Sequence, residues 1–289
     1  MTASTTLTTP VITEQDFARF AEYFYRRTGI LFEANKRYFV DKRLIDRINA
    51  TQSGDFASYF RMLRLHPSGT ETQILTNMMT VNETYFFREA YQFDCLTQHV
   101  LDEVLAYKQP GDPIRIWCMP CSTGEEAYSI AIHLMECWPK IDRYDVELLA
   151  SDIDTAVLDS ARNGIYSPRS VQGVTPARLS RYFQRLRNGN WQISEDLRHS
   201  VDFVRANLNK PEDLWRFSRI DVVFCRNLLI YFDDMSRRAA AQAFFQAMSP
   251  GAFICLGHSE SMSRISGLFK VRKFGSTIVY QKPLFGETA

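Results

Sequence analysis

The sequence predicts an α/β protein: a largely parallel, buried sheet preceded by a small all-helical domain. Three observations carry that prediction. Residues 13 to 79 show helical spacing with capping residues and no strand pattern. After residue 113 four short apolar runs, IRIWC (114–118), VELLAS (146–151), VVFCR (222–226) and FICLG (253–257), stand apart with helical segments between several of them. The chain then closes on two alternating stretches around Phe274-Gly275-Ser276. Apolar runs spaced by helices are the pattern of strands buried on both faces, and a terminal hairpin adds antiparallel strands to such a sheet.

In chain order, the first helix opens at Thr13-x-x-Asp16, carries Phe17, Phe20 and Phe24 on one face, and closes at Gly29. Asn35 is expected to cap a second helix over KRYFVDKRLIDRINA and Asp55 a third over FASYFRMLRLH, with a fourth near ETQILTNMM. Residues 1–79 thus form the helical domain. Residues 80–112 read as a linker carrying TVNETYFFRE (80–89), at a place where two-domain enzymes often put a cleft. Residues 113–289 form the sheet domain. Within it, Asn188-Gly189 marks a tight turn between FQRLR and WQIS, read as the hairpin of an inserted β-subdomain at about 176–206.

The 34 basic and 33 acidic residues nearly cancel, so global charge points to no nucleic-acid or anionic-lipid partner. The start MTASTTLTTP lacks a basic stretch with an apolar run behind it, and no segment approaches the roughly 18 unbroken apolar residues of a membrane span. A cytoplasmic protein without direct membrane insertion is expected, which removes the sugar-acceptor reading of Asn82-Glu83-Thr84. The six cysteines sit mostly in apolar runs, as reduced thiols do. Cys118-x-x-Cys121 has no second pair or nearby histidine pair to complete a tetrahedral set, so no metal is expected.

Three strand ends carry chemistry. IRIWCMPCSTGEEAYS is a strand, a small-residue turn and a helix start, the place where parallel sheets bind nucleotide-like ligands. A diphosphate cofactor would favour G-x-G-x-x-G and a helix start free of acid. Glu125 and Glu126 stand there instead, which tilts the ligand toward a cation such as S-adenosylmethionine; the alternative is that both merely favour a helix N-terminus. VELLASDIDT ends in Asp152 and Asp154, one of which can accept ribose hydroxyls while the other caps the next helix. IDVVFCRNLLIYF runs into Arg226-Asn227, where the asparagine either faces the same ligand edge or serves a turn.

These motifs, with TVNETYFFRE, Ala206-Asn207-Leu208 and the loop Gly257-His258-Ser259-Glu260, closely resemble the chemotaxis receptor methyltransferase family (CheR) over nearly the whole chain. The resemblance implies a Rossmann-like class I methyltransferase sheet with an inserted β-subdomain and a helical N-terminal domain. It implies methyl transfer from S-adenosylmethionine, leaving S-adenosylhomocysteine, to glutamates on chemoreceptor cytoplasmic helices, by a monomer. Residues matching the family's cofactor contacts are Asn82, Thr84, Arg88, Glu126, Asp152, Asn207, Leu208, Asn227 and Leu228. Glu126 would hold the cofactor's amino-acid end and Asp152 its ribose. Arg88 and Tyr231 match the residues nearest the transferred methyl. For Arg88 the alternative is an ion pair with Glu89 or Asp94. Phe86, Phe87 and Tyr231 are expected to wall the reacting atoms from water.

Lys36, Arg43 and Arg47 fall on one face of the second helix, either a solvated stripe or, by the resemblance, a receptor-docking one. Two departures stand out: Ala127 replaces a common proline, and Met119-Pro120 replaces smaller residues before the turn. The hairpin at Asn188-Gly189 also looks short against members that grip a receptor's C-terminal pentapeptide tether, so tether-independent recognition is expected. A nicotinamide-dependent oxidoreductase is disfavoured by the missing glycine fingerprint. A degenerate cofactor sensor is disfavoured by the presence of Arg88, Asp152 and Tyr231.

Overall fold

The computed structural model describes residues 10–66, 69–109 and 111–287, so the expectation drawn from the chain's first nine residues lies outside them. The chain divides into two units, Met1–Val81 and Asn82–Ala289. The boundary corrects the linker expected at 80–112. Phe93, Leu96, Val100, Leu101 and Val104 are all buried in the core of the second unit, so most of that segment belongs to the sheet domain.

Among its described residues the first unit holds four α-helices, α1 (Glu14–Thr28), α2 (Arg37–Ala50), α3 (Phe56–Leu65) and α4 (Thr70–Met79). Thr13 and Asp16 form the reciprocal capping box, and Gly29 ends α1 in the left-handed conformation that a glycine adopts without steric cost. Asp55 caps α3 through the Ser58 amide. Asn35 does not cap α2: a short 3₁₀ turn, Ala34–Lys36, leads straight into it, and the Asn35 amide reaches Glu33 instead. Phe17, Phe20, Phe24, Leu44, Phe56 and Leu75 share this unit's core.

In the second unit a helical stretch, α5 (Tyr91–Cys95) and α6 (Leu101–Leu105), precedes β1 (Ile114–Cys118), α7 (Glu125–Cys137), β2 (Val146–Asp152) and α8 (Thr155–Asn163). Next come β3 (Ile165–Tyr166), α9 (Pro176–Tyr182), β4 (Phe183–Arg185), β5 (Trp191–Ile193) and α10 (Glu195–His199). The chain ends through β6 (Val201–Arg205), α11 (Pro211–Leu214), β7 (Ile220–Cys225), α12 (Asp234–Ala247), β8 (Met248–Leu256), β9 (Lys270–Phe274) and β10 (Thr277–Gln281).

Seven strands make one sheet in the order β6-β2-β1-β7-β8-β10-β9, parallel except for the terminal hairpin. β3, β5 and β4 form a separate antiparallel sheet, the inserted subdomain. That subdomain differs from the expected 176–206 at both ends. It begins at Ile165, and Val201–Arg205 leaves it to pair in parallel with β2 as the edge of the main sheet. The main-sheet order reverses at β1: the chain builds outward to β2 and β6, then crosses back to β7. Such a reversal opens a crevice at the carboxyl ends of the two central strands. β7 is buried along its whole length, so its exit residues are delivered to that crevice from a rigid base.

Candidate cofactor and active site

Beyond β1 the chain turns through Met119–Gly124 into α7. Asp152, at the end of β2, holds this turn: one carboxylate oxygen accepts the Ser122 amide at 2.9 Å and the other the Asp154 amide at 3.0 Å. Gly124 has φ 94°, and a Cβ there would lie 3.0 Å from the Ala161 Cβ and 3.1 Å from the Tyr128 ring. Only glycine combines that backbone with so close an approach to the core. Asp152 is 3% exposed, and burial pushes its pKa up to about 6 against the amides that favour its charge. Asp154 caps α8 through the Ala156 and Val157 amides at 2.9 and 3.2 Å, and its other oxygen accepts from Asn82 Nδ2 at 2.9 Å. The two aspartates therefore divide the roles: Asp154 is the cap and Asp152 the strand-end acid.

The two glutamates also part. Glu125 is buried, accepts from the Thr123 and Ser170 hydroxyls at 2.6 and 2.7 Å, and has its pKa raised by burial. Glu126 pairs with Arg226 at 2.5 Å and accepts from Cys118 Sγ at 3.1 Å. Arg226 is itself buried. Burial opposes its charge, but the carboxylates of Glu126 and Glu89 outweigh that and raise its pKa. The charge of Glu126 is thus shared by a neighbouring guanidinium.

The segment Asn82–Glu89 is stitched to these turns. The Asn82 carbonyl accepts from Ser122 Oγ at 3.2 Å, the Phe86 amide donates to the Ser170 carbonyl at 3.0 Å, and the Phe87 amide to Ser129 Oγ at 2.9 Å. Tyr166, from the inserted subdomain, donates to the Thr123 carbonyl at 2.9 Å. Phe87 and Glu89 have φ of 58° and 56°, a left-handed backbone that is uncommon outside glycine and clusters at functional sites.

The aromatic wall is corrected. Phe86 is fully buried, edge-on to Tyr166 and Phe183, and Phe87 lies beneath the Arg178 guanidinium at 4.1 Å; both belong to the core. The rings left partly open near Arg88 are Tyr85 and Tyr231, 40% and 36% exposed. Arg88 lies 5.8 Å from the Tyr85 ring and donates to the Glu83 carbonyl at 3.2 Å. Partial burial raises the Tyr231 pKa, while the Arg88 charge lowers it and Glu83 and Glu260 raise it, so these groups share one electrostatic neighbourhood. The ion pair weighed for Arg88 goes to other residues: Glu89 meets Arg226 at 3.1 Å and Asp94 faces His133 at 3.4 Å.

The Ala206 amide donates to the Asp152 carbonyl at 3.0 Å, which brings buried Asn207 and half-buried Leu208 to the same end of the sheet. Asn227 takes φ 57° and begins a turn through half-buried Leu228. Glu260 clamps that turn, accepting the Asn227, Leu229 and Gly257 amides at 2.7, 2.7 and 2.9 Å. Thr84 is half-buried within the 82–89 segment. Lys36, Arg43 and Arg47 belong to the helical unit. Lys36 is exposed, Arg43 caps the Phe39 carbonyl at 3.0 Å, and Arg47 grips Glu71 with two nitrogens at 2.8 and 2.5 Å.

Sequence reasoning assigned no role to Arg226, Glu260, Tyr166 or Ser170. The first two lie inside the motifs FCRN and GHSE, where a charged residue beside a wholly apolar strand is the signal that could have found them. A separate cavity of about 290 Å³, lined by Tyr107, Arg115, Arg219, Pro250 and Leu284, sits at the amino ends of β1, β7 and β8 and touches none of the predicted site residues.

The strand-end acid Asp152, at the strand reversal and beside a turn without a phosphate-binding glycine fingerprint, suits a nucleoside ribose better than a diphosphate. The fold and this site define a class I S-adenosylmethionine-dependent methyltransferase. Residues 82–278 match the family described as "CheR methyltransferase, SAM binding domain" and residues 15–80 match "CheR methyltransferase, all-alpha domain". The chain belongs to the CheR methyltransferase family. It is 50% identical over 278 residues to "Chemotaxis protein methyltransferase 2" of Vibrio cholerae, covering 96% of each chain. It is 36% identical to the Pseudomonas aeruginosa protein of the same description, covering 92% of each. Against the "Chemotaxis protein methyltransferase" of Escherichia coli it is 34% identical, covering 92% of this chain and 91% of that one.

Proposed function

We propose that this enzyme methylates glutamate side chains on the cytoplasmic helices of chemoreceptors, forming carboxyl methyl esters. The observation that carries this reading is the presentation of half-buried Arg88, beside Tyr85 and in the electrostatic neighbourhood of Tyr231, from the segment joined to the Ser122 turn and to the Arg226–Glu126 pair. When bound, S-adenosylmethionine supplies an electrophilic methyl group on a sulfonium centre. The chain's residues then have to bind, orient and partly dehydrate. Asp152 would take the ribose, Asn82, Thr84, Asn207, Leu208, Asn227 and Leu228 would line the nucleoside, and Glu126 would face the amino-acid end.

A free glutamate has a pKa near 4.3 and is already a carboxylate at pH 7, so the reaction needs no general base. Placement matters more: carboxylate oxygen, methyl and sulfur must lie in line. Opposite charges cancel as the methyl moves, so a site of low polarity favours the transition state over the separated ions. Arg88 guides the incoming carboxylate with its guanidinium fork. Tyr231, neutral at pH 7 as an ordinary tyrosine is, offers a hydroxyl donor in the electrostatic neighbourhood of Arg88. Exposed Lys36, in the turn that leads into α2, and half-buried Arg43 on that helix offer positive charge to steer an acidic receptor helix, whereas the Arg47 charge is taken by Glu71.

The test is incubation with methyl-labelled S-adenosylmethionine and a chemoreceptor cytoplasmic fragment, followed by alkali. Methyl esters release labelled methanol in base; label that survives would place the product in another class. The subdomain strands β4 and β5 are three residues each, which supports recognition without a receptor tether. Calorimetry should show no heat with a C-terminal receptor pentapeptide, and measurable binding would overturn that part of the reading.

A further inference from the structure

Arg226 leaves the end of β7 and is buried, with its side chain 2% exposed. One terminal nitrogen meets Glu126 at 2.5 Å, and the other donates to the Arg88 carbonyl at 2.6 Å and lies 3.1 Å from Glu89. Gln92 donates to the same Glu89 oxygen at 3.0 Å and to the Leu256 carbonyl at 2.8 Å, extending the cluster to β8. One guanidinium thus touches the cofactor-side acid and the main chain of the residue proposed to guide the substrate.

Stability alone is a poor account of this arrangement. A buried ion pair is weak evidence for stability, because the cost of removing charges from water rivals their attraction. The Arg226 Nε also has no hydrogen-bond partner among the described residues, a further cost. What the cluster achieves geometrically is registration. Arg88 sits between two left-handed residues, Phe87 and Glu89, so its side-chain direction depends on how that short arch is held. Arg226 holds it at the Arg88 carbonyl and the Glu89 carboxylate.

We propose that Arg226 is a positioning residue: by gripping the Arg88 carbonyl, Glu89 and Glu126 together, it sets the substrate-guiding guanidinium in register with the cofactor. The proposal rests on the reading of Arg88 given above. A lysine at 226 keeps the charge but has no planar fork with which to hold all three partners. An error of about 1 Å in placing a reacting group can cost about a hundredfold in rate.

The experiment is a double-mutant cycle on the full chain with Arg226→Lys, Arg88→Ala and both together. It reads the methyl-transfer rate at saturating cofactor, S-adenosylhomocysteine affinity by calorimetry, and thermal unfolding. Arg226→Lys is expected to slow transfer by about a hundredfold in the native background and by less than about threefold when Arg88 is already alanine. Cofactor affinity should change by less than about tenfold, separating turnover from binding. Equal losses in both backgrounds would overturn the proposal and leave Arg226 as a structural ion pair. If Arg88→Ala alone leaves the rate unchanged, the reading of Arg88 fails first and the positioning role falls with it. Should Arg226→Lys not fold, Glu89→Gln keeps the volume and the Arg226–Glu126 pair and enters the same cycle, with the same non-additivity expected and additivity again overturning the proposal.

Discussion

Asp152 accepts two backbone amides yet is held above its ordinary pKa of 3.8, at about 6, because burial outweighs those bonds. The folded chain therefore binds this proton more tightly than the unfolded one. Its contribution to stability is most favourable below about pH 4 and declines as pH rises through about 6, costing about 3 kcal/mol at neutral pH. A ligand that donates hydroxyl hydrogens to the ionised carboxylate reverses part of that cost. Affinity for S-adenosylhomocysteine is accordingly expected to fall roughly tenfold from pH 7.5 to pH 5, and Asp152→Asn should flatten the profile, as measured by calorimetry. In the proposed reaction Arg88 serves the other half, the substrate. Arg88→Ala should reduce methyl transfer far more than cofactor affinity, and Asp152→Ala should do the reverse; equal losses in both quantities would leave Arg88 with a merely structural part.

At the level of elements, the loops after β7 and β8 are joined by one carboxylate, Glu260, which accepts three backbone amides. Gly257 permits that closure, since a Cβ there would fall 2.8 Å from Glu260 Oε2. Glu260→Ala is expected to cost about 3 kcal/mol in urea unfolding, in line with lost charge-assisted hydrogen bonds, and to weaken cofactor binding by freeing the Asn227–Leu229 turn. Much of this architecture was legible in the sequence. β1, β2, β7 and β8 are wholly or mainly apolar, and the residues at their ends are small or charged, so strand exits announced themselves. β6 escaped because VDFVR alternates buried and exposed residues, as a half-exposed edge strand does, and so resembled the neighbouring subdomain. Phe86 and Phe87 were misplaced for a related reason: adjacent aromatics show apolarity but not direction, and the left-handed backbone at Phe87 turns the chain in a way that no local pattern encodes. Arg226 was visible as a letter but not as a junction, because its partners lie 100 and 138 residues away.

For the molecule as a whole, each of the two units has its own buried core. A fragment spanning residues 82–289 should fold cooperatively and retain S-adenosylhomocysteine binding, while methylation of a receptor fragment should fall sharply without Lys36 and Arg43. Circular dichroism, calorimetry and label incorporation would check the three statements, and lost cofactor binding by a folded fragment would contradict them. The inserted subdomain has a different relation to the centre. Tyr166 and Ser170 bond Thr123, Glu125 and the Phe86 backbone, whereas the hairpin tip at Asn188-Gly189 has open space around Gly189. Root and tip are therefore free to diverge at different speeds. The tip can lengthen, shorten or change composition without disturbing the turn, while any change at the root must be answered at the turn it holds.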